Sequence, residues 1–235
     1  MNDALLEITD LSKDYHTLRP LRIKALTVRA GELLSITGID VLGAETFMHL
    51  VTGATLPEAG DVILFGRNTR EITDGDAWLK SLDGIGMITG RGILVEAFSV
   101  LQNIALSLTL DVDPIDARVR PQAITLASEV GIDPGVFDLA AGRAGPEVRM
   151  RVHLARALAL APKLLIAEHP SASLPRDTVS TFGADLGRTA RARGLALITI
   201  TADDTLAKAV GGSRRELVAA TGELRAPSRL RQLFQ

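Results

Sequence analysis

The residues that invite chemistry lie between two glycines, Gly38 and Gly43. A short apolar run, Leu33 to Thr37, reads as a buried strand that ends at Gly38. The chain then passes through Ile39 to Leu42, and from Glu45 to Gly53 it has the apolar spacing of a helix. Strand, glycine-bounded loop and helix is the layout in which backbone N–H groups and a helix N-terminus cradle phosphate oxygens. The pattern G-x-x-x-x-G-K-[ST] requires Lys and then Ser or Thr after the second glycine. Here those places hold Ala44 and Glu45, and Asp40 adds a carboxylate to the loop.

Other chemistry-bearing residues are sparse. His16, His49 and His153 are scattered without metal-ligand spacing. With no cysteine, disulfides, thiol nucleophiles and thiolate metal sites are excluded. A net charge of −2 and a pI near 6.1 give no electrostatic case for nucleic acid or for a polybasic membrane anchor. The first residues, MNDALLEITDL, lack the basic-then-apolar order of a signal peptide. No apolar run reaches the ~18–20 residues of a spanning helix, so a soluble chain is expected that meets a membrane only through a partner.

These residues need a scaffold, and 235 residues, 46% hydrophobic but only 3% aromatic, allow an aliphatic core. Leu5–Leu11 and Leu21–Val28 read as strands, and Arg29–Glu32 reads as a hairpin turn into Leu33–Thr37. Val62–Phe65 and Ile85–Thr89 are further short strands, with weak helix over Asp76–Leu82. Glu96–Leu108 and Pro121–Val130 read as helices, and 134–146 as irregular chain. The remainder alternates. Helix Glu147–Leu160, strand Leu164–Ala167, helix Asp177–Arg193, strand Leu195–Thr201, helix Thr205–Val210 and a strand near Glu216–Ala219 follow in turn. The expected class is mixed α/β: an antiparallel β part, an inserted helical part and a core sheet with helices. No internal repeat or low-complexity tract interrupts it.

From Leu5 to about Arg225 the chain resembles the nucleotide-binding domain of ATP-binding cassette (ABC) transporters. The segment RVHLARALALAPKLLIAEHPSASL, Arg151 to Leu174, is similar to the stretch that leads into and out of the family's Walker B strand. LEITDLSKDY, VRAGELLSITG and FSVLQNIAL resemble the opening strand, the Walker A strand and the segment after the Q-loop, in the family's order. The resemblance implies the P-loop NTPase fold of the ABC cassette type in one domain. Its parts would be an antiparallel β and P-loop part at 1–89, a helical subdomain at 90–147, core sheet and helices at 148–225, and a tail at 226–235.

Carried over by motif, the nucleotide-binding places fall on Tyr15 for adenine stacking and on Gly38, Gly43, Ala44, Glu45 and Thr46 in the Walker A segment. Val41 replaces a loop glycine with a β-branched residue that resists positive φ. The Q-loop glutamine is Gly90. The signature LSGGQ becomes Ala144-Gly145-Pro146-Glu147-Val148, or Leu139–Gly142 if an insertion is allowed. The places of the Walker B Asp and the catalytic Glu hold Glu168 and His169, that of the D-loop Asp holds Pro175, and that of the switch histidine holds Ala202. No catalytic residue is assigned among them.

Several of these positions carry two readings. Glu45 is either a carboxylate in the first helical turn that offsets the helix dipole, or, with Glu168, a rebuilt Mg²⁺ site. His169 is a polar strand-end residue, or a general base with an unperturbed pKa near 6.5. Tyr15 either packs or stacks on a base. Arg151 and Arg156 fit packing and ion pairing better than a site.

The resemblance implies ATP and Mg²⁺ as the family's cofactors, with weak or no binding expected here. It implies an ABC membrane permease and an intact ABC ATPase subunit as partners, a heterodimer rather than a homodimer. The chain would then sit on the cytoplasmic face of the membrane through those partners, with the permease groove near Gly90–Val100. The leading function is a catalytically degenerate cassette subunit. An unorthodox ATPase using Glu45, Glu168 and His169, and a non-transport scaffold, are the alternatives.

Overall fold

Two sheets with a buried helix between them organise the molecule, a computed structural model that describes residues 4–90 and 92–227. The chain begins with strands β1 (Ala4–Lys13), β2 (Leu21–Arg29) and β3 (Leu33–Thr37), then helix α1 (Val41–Thr52), β4 (Ala59–Leu64) and β5 (Arg67–Asn68). Helix α2 (Gly75–Leu82), β6 (Ile85–Ile88), α3 (Val100–Ala105) and α4 (Arg120–Glu129) follow. Then come α5 (Pro146–Ala157), β7 (Leu164–Glu168), α6 (Arg176–Ala192), β8 (Ala196–Ile200), α7 (Asp204–Val210), β9 (Ser213–Val218) and β10 (Glu223–Arg225).

The smaller sheet is antiparallel, in the order β2-β1-β4-β5, and the larger six-stranded sheet runs β10-β9-β3-β8-β7-β6. Within the larger sheet β9, β3, β8, β7 and β6 are mutually parallel, and β10 is an antiparallel edge. The strands β7 and β8 are buried at every position, as parallel strands covered on both faces must be. One face sends Leu165, Ala167 and Leu197 toward α5, α6 and the helical block. The other sends Ile36, Ile166 and Ile198 into a second core, where Phe47, Leu50 and Val51 of α1 meet Ile8, Ile23 and Val62 of the antiparallel sheet. Helix α1 is therefore clamped between two sheets, which fixes its N-terminus beside the end of β3.

The larger core is tied by two arginines. Arg151 on α5 donates to Glu147 at 2.9 Å, to Asp185 on α6 at 2.7 Å and to the Val130 carbonyl at the end of α4. Burial pulls its pKa down, but the hydrogen bonds to Asp185 and Glu147 outweigh that, and the guanidinium is held above its ordinary value. Arg193 grips Glu129 with both ends of its fork and also donates to the Leu158 carbonyl. The expected ion-pairing role of Arg151 is thus what the side chain performs.

Several elements depart from the sequence reading. The turn after β2 exists, with Gly31 at φ 72°, but it makes no hairpin: β3 crosses to the other sheet and pairs with β8 and β9. Its residues Leu33–Ile36 are buried on both faces, which an antiparallel edge beside β2 would not satisfy. The helix expected over Glu96–Leu108 shrinks to α3, because Ser99 starts it with a capping box to Gln102. The stretch before it is held instead by the buried Asn103 side chain, which exchanges hydrogen bonds with both backbone groups of Val95. The irregular 134–146 segment contains 3-10 turns at Pro134–Val136 and Ala141–Arg143, and the edge strand β10 was not anticipated. Of the tail at 226–235, residues 228–235 lie outside the described residues.

Arg151→Ala should lower stability by about 3–5 kcal/mol, because it strands a buried carboxylate partner and a carbonyl. Urea unfolding checks this. Arg118→Ala, which removes an exposed pair with Asp116, should leave the midpoint unchanged.

Candidate functional site

The junction of β3 and α1 is built by three residues. Gly38 has φ 84°, and a Cβ there would lie 2.6 Å from the Leu217 carbonyl oxygen, so only glycine fits. Ile39 turns into the core. Asp40 then caps the helix: its Oδ1 accepts a 2.6 Å hydrogen bond from the Gly43 N–H, while its own carbonyl accepts the first intrahelical bond from Ala44 at 2.8 Å. Helix α1 starts at Val41, before Gly43 rather than after it, and the expected loop reduces to Ile39 and Asp40. Val41 cannot easily take positive φ, and Asp is a strong N-cap, so both push the helix to begin early.

This corrects the role given to Glu45. No acidic residue lies in the first turn of α1, and the carboxylate at the helix N-terminus is that of Asp40. Gly43 serves the same cap. A Cβ on it would approach Asp40 Oδ1 to 2.9 Å and the Tyr15 hydroxyl to 3.4 Å. Ala44 is fully buried among the core side chains around Phe47. The Thr46 hydroxyl donates to the Leu42 carbonyl at 2.8 Å, a bond within its own helix. Tyr15 is half-buried against the same core and borders a hollow of about 450 Å³ with Arg19, Arg22, Gly38 and Asp40.

The second part of the site lies at the C-terminal ends of β7 and β8. Glu168 is 8% exposed at the end of β7. His169 follows with φ 42°, a backbone conformation uncommon for a side chain of its kind. Its N–H donates to the Ile200 carbonyl at 2.8 Å, and its carbonyl accepts from Ala172 at 3.0 Å. Its Nε2 is buried and has no hydrogen-bond partner among the described residues. Across the groove the Thr201 hydroxyl accepts from the Asp203 N–H, and the Asp203 carboxylate caps α7, leaving Ala202 exposed between them.

Three hollows sort the positions expected from the resemblance. A groove of about 740 Å³ joins His169 to Ala202, with Ser171, Arg176 and Asp203 along it. A second, about 540 Å³, joins Gly90, Ala144, Pro146, Glu168 and His169. Tyr15 and Gly38 belong to the hollow beside α1 and lie in neither groove. Gly145 is the N-cap of α5 and provides no side-chain cap, while Glu147 is engaged by Arg151. Pro175 precedes α6 in the same capping position. Among the described residues no three of His, Asp and Glu gather as metal ligands.

Two features were missed in the sequence. Asp40, seen there as an intruding charge, is legible as a cap from the Asp at the strand–helix junction. The other is a stripe on α5 formed by Arg149, His153 and Arg156, which i, i+4, i+7 spacing could have revealed. Burial holds the His153 pKa below its ordinary value, with repulsion from Arg156 and Arg149 adding to it.

Comparison with known proteins places this geometry. No protein-family model matches the chain. The lipoprotein-releasing system ATP-binding protein LolD of Maricaulis maris is 31% identical over 228 residues, covering 95% of this chain and 97% of that protein. LolD of Geobacter metallireducens is 32% identical over 219 residues, covering 90% and 95%. Among solved structures, CbiO1 of Clostridium perfringens, part of the ABC transporter complex cbiONQ, superposes with a TM-score of 0.77 at 19% identity, over 99% of this chain and 91% of that one. The dimeric post-hydrolysis structure of the ATP-binding cassette MJ0796, bound to ADP and Pi, gives 0.72 at 20% identity, over 96% and 98%. The architecture of a helix clamped between two sheets is thus the cassette architecture, and the chain belongs to the ATP-binding cassette family as a LolD-like nucleotide-binding domain.

Proposed function

We propose that this chain is a cassette subunit of an ABC transporter that works without hydrolysing ATP, paired with an intact ATPase subunit and seated on a membrane permease. The observation that carries the reading is the Asp40 carboxylate on the Gly43 N–H. A phosphate at a helix N-terminus is held by such N–H groups and by the dipole behind them. Here an internal anion takes that donor and would repel a second anion beside it.

The neighbouring positions support the same reading. A lysine that contacts phosphate contributes about 1.5–3 kcal/mol through a charge-assisted bond. Ala44 provides none and faces the core instead. The Thr46 hydroxyl turns its hydrogen back to the Leu42 carbonyl within its own helix. The Nε2 of His169 is buried, so that nitrogen is not presented to a water as a general base would be. The donor set therefore does not fit Mg²⁺-ATP, and no chemical step is derived through it.

What remains serves assembly. No helix among the described residues is long and apolar enough to cross a membrane. The groove between the end of β6 and α5 exposes Met87 (41%), Ile93 (81%) and Leu160 (60%), more apolar surface than an unpartnered groove requires. It is the surface on which a permease would sit.

The purified chain should show no ATP turnover above background and no saturable Mg²⁺-ATP binding in the micromolar range. Turnover or micromolar binding that Tyr15→Ala abolishes would contradict the reading. Affinity purification from its own cells should bring down a permease and a second cassette subunit. Asp40→Asn, which keeps a capping oxygen, should change stability by less than about 0.5 kcal/mol, whereas Asp40→Ala should cost about 0.5–2 kcal/mol in urea unfolding.

A further inference from the structure

Two hydroxyls at the centre of the large sheet have no partner in the chain. Ser35 on β3 and Thr199 on β8 are fully buried, and neither hydroxyl makes a hydrogen bond among the described residues. The parallel ladder sets the two residues opposite each other, on strands about 4.8 Å apart. The alternation of side chains along a strand turns both to the face that carries Leu33, Leu197, Leu165 and Ala167, which α6 and α7 cover. Buried threonines elsewhere are engaged. The Thr52 hydroxyl donates to the Met48 carbonyl at 2.9 Å, and that of Thr201 accepts from the Asp203 N–H at 3.0 Å. Both β3 and β8 are paired on either side, so the backbone groups around the two hydroxyls belong to the ladders.

The row in which the pair lies is also short of volume. Two residues back along the strands, Leu33, Leu197 and Leu165 lie side by side. At the level of the pair the same three strands carry Ser35, Thr199 and Ala167. Three neighbouring strands thus change from leucine to a small side chain in one row, and a close-packed core must fill what they give up. Beyond Ser35 the row ends in Arg214 on β9. Its guanidinium donates to Asp204 at the start of α7, at 3.0 Å, and has further N–H groups beside that one.

A buried hydroxyl without a partner forfeits the hydrogen bonds it made in water, and two in one row double the loss. The smallest group that both donates and accepts is a water, and a buried water makes about three hydrogen bonds. We propose that the row holds an internal water that bridges the Ser35 and Thr199 hydroxyls and faces Arg214. The centre of the large sheet is then tied to α7 through a bound solvent molecule as well as through apolar packing. The competing arrangement is dry, with side chains of α6 and α7 closed over both hydroxyls.

The test uses the full chain. A high-resolution crystal structure should show a water peak about 2.7–2.8 Å from both hydroxyl oxygens. Thr199→Val keeps the shape of the side chain but removes one anchor of the bridge. It should abolish the peak and lower the Tm by about 2–4 °C. Ser35→Ala should lower it similarly, and the double variant should lose less than the two single losses together, because each removes the same bridge. If Thr199→Val does not fold, the native peak and the Ser35→Ala shift still decide. Absence of a peak between the two hydroxyls in the native chain overturns the proposal. So does an unchanged or raised Tm for Thr199→Val, the mark of a dry hydroxyl whose removal costs nothing. Strictly additive losses in the double variant overturn it as well.

Discussion

One hydrogen bond governs the character of the site: the carboxylate of Asp40 on the N–H of Gly43, at 2.6 Å. Every helix leaves its first N–H groups without intrahelical partners, and whatever supplies the missing acceptors decides what the terminus can do. A loop that holds those groups open makes an anion site. A chain that supplies its own carboxylate makes a capped helix. Here the cap and the early start of α1 reinforce each other. The Gly43 position leaves room for the carboxylate, Val41 accepts helical geometry, and Ala44 turns inward to the core.

The cap can hold its place only because α1 cannot move. The helix is gripped by the β3–β8–β7 face on one side and by the antiparallel sheet on the other, with Phe47, Leu50 and Val51 fully buried. On the opposite face of the large sheet, Arg151 and Arg193 link α4, α5 and α6 through carboxylates and carbonyls. The scaffold of the cassette is thus held by apolar packing and buried ion pairs that involve no ligand. His169, with its buried Nε2, sits just past the end of β7 within this frame.

Much of the fold was legible in the sequence. The largely apolar runs Leu164–Ala167 and Leu195–Thr201 read as buried strands, and the segments that form α5 and α6 read as helices. The family resemblance supplied their order. What sequence could not supply was pairing across long separations. The turn at Gly31 looks like a hairpin turn, yet β3 pairs with strands more than 150 residues away in sequence because it needs cover on both faces. Capping chemistry was underweighted as well: Ser99 shortened α3, and Asp40 displaced Glu45 as the acid at the helix end. Of the site, the altered residue types were readable directly. Which of them face a groove, the core or their own backbone was not, since Ala44 and Thr46 look equally available in a linear motif.

The central claim is that the Gly43 N–H belongs to Asp40 and not to a nucleotide. A Mg²⁺-ATP titration of the isotopically labelled chain, followed at the Gly43 amide resonance, tests it most directly. The account predicts that this resonance stays in place while nucleotide rises through the micromolar range. A saturable shift of the Gly43 amide with a micromolar midpoint would contradict it.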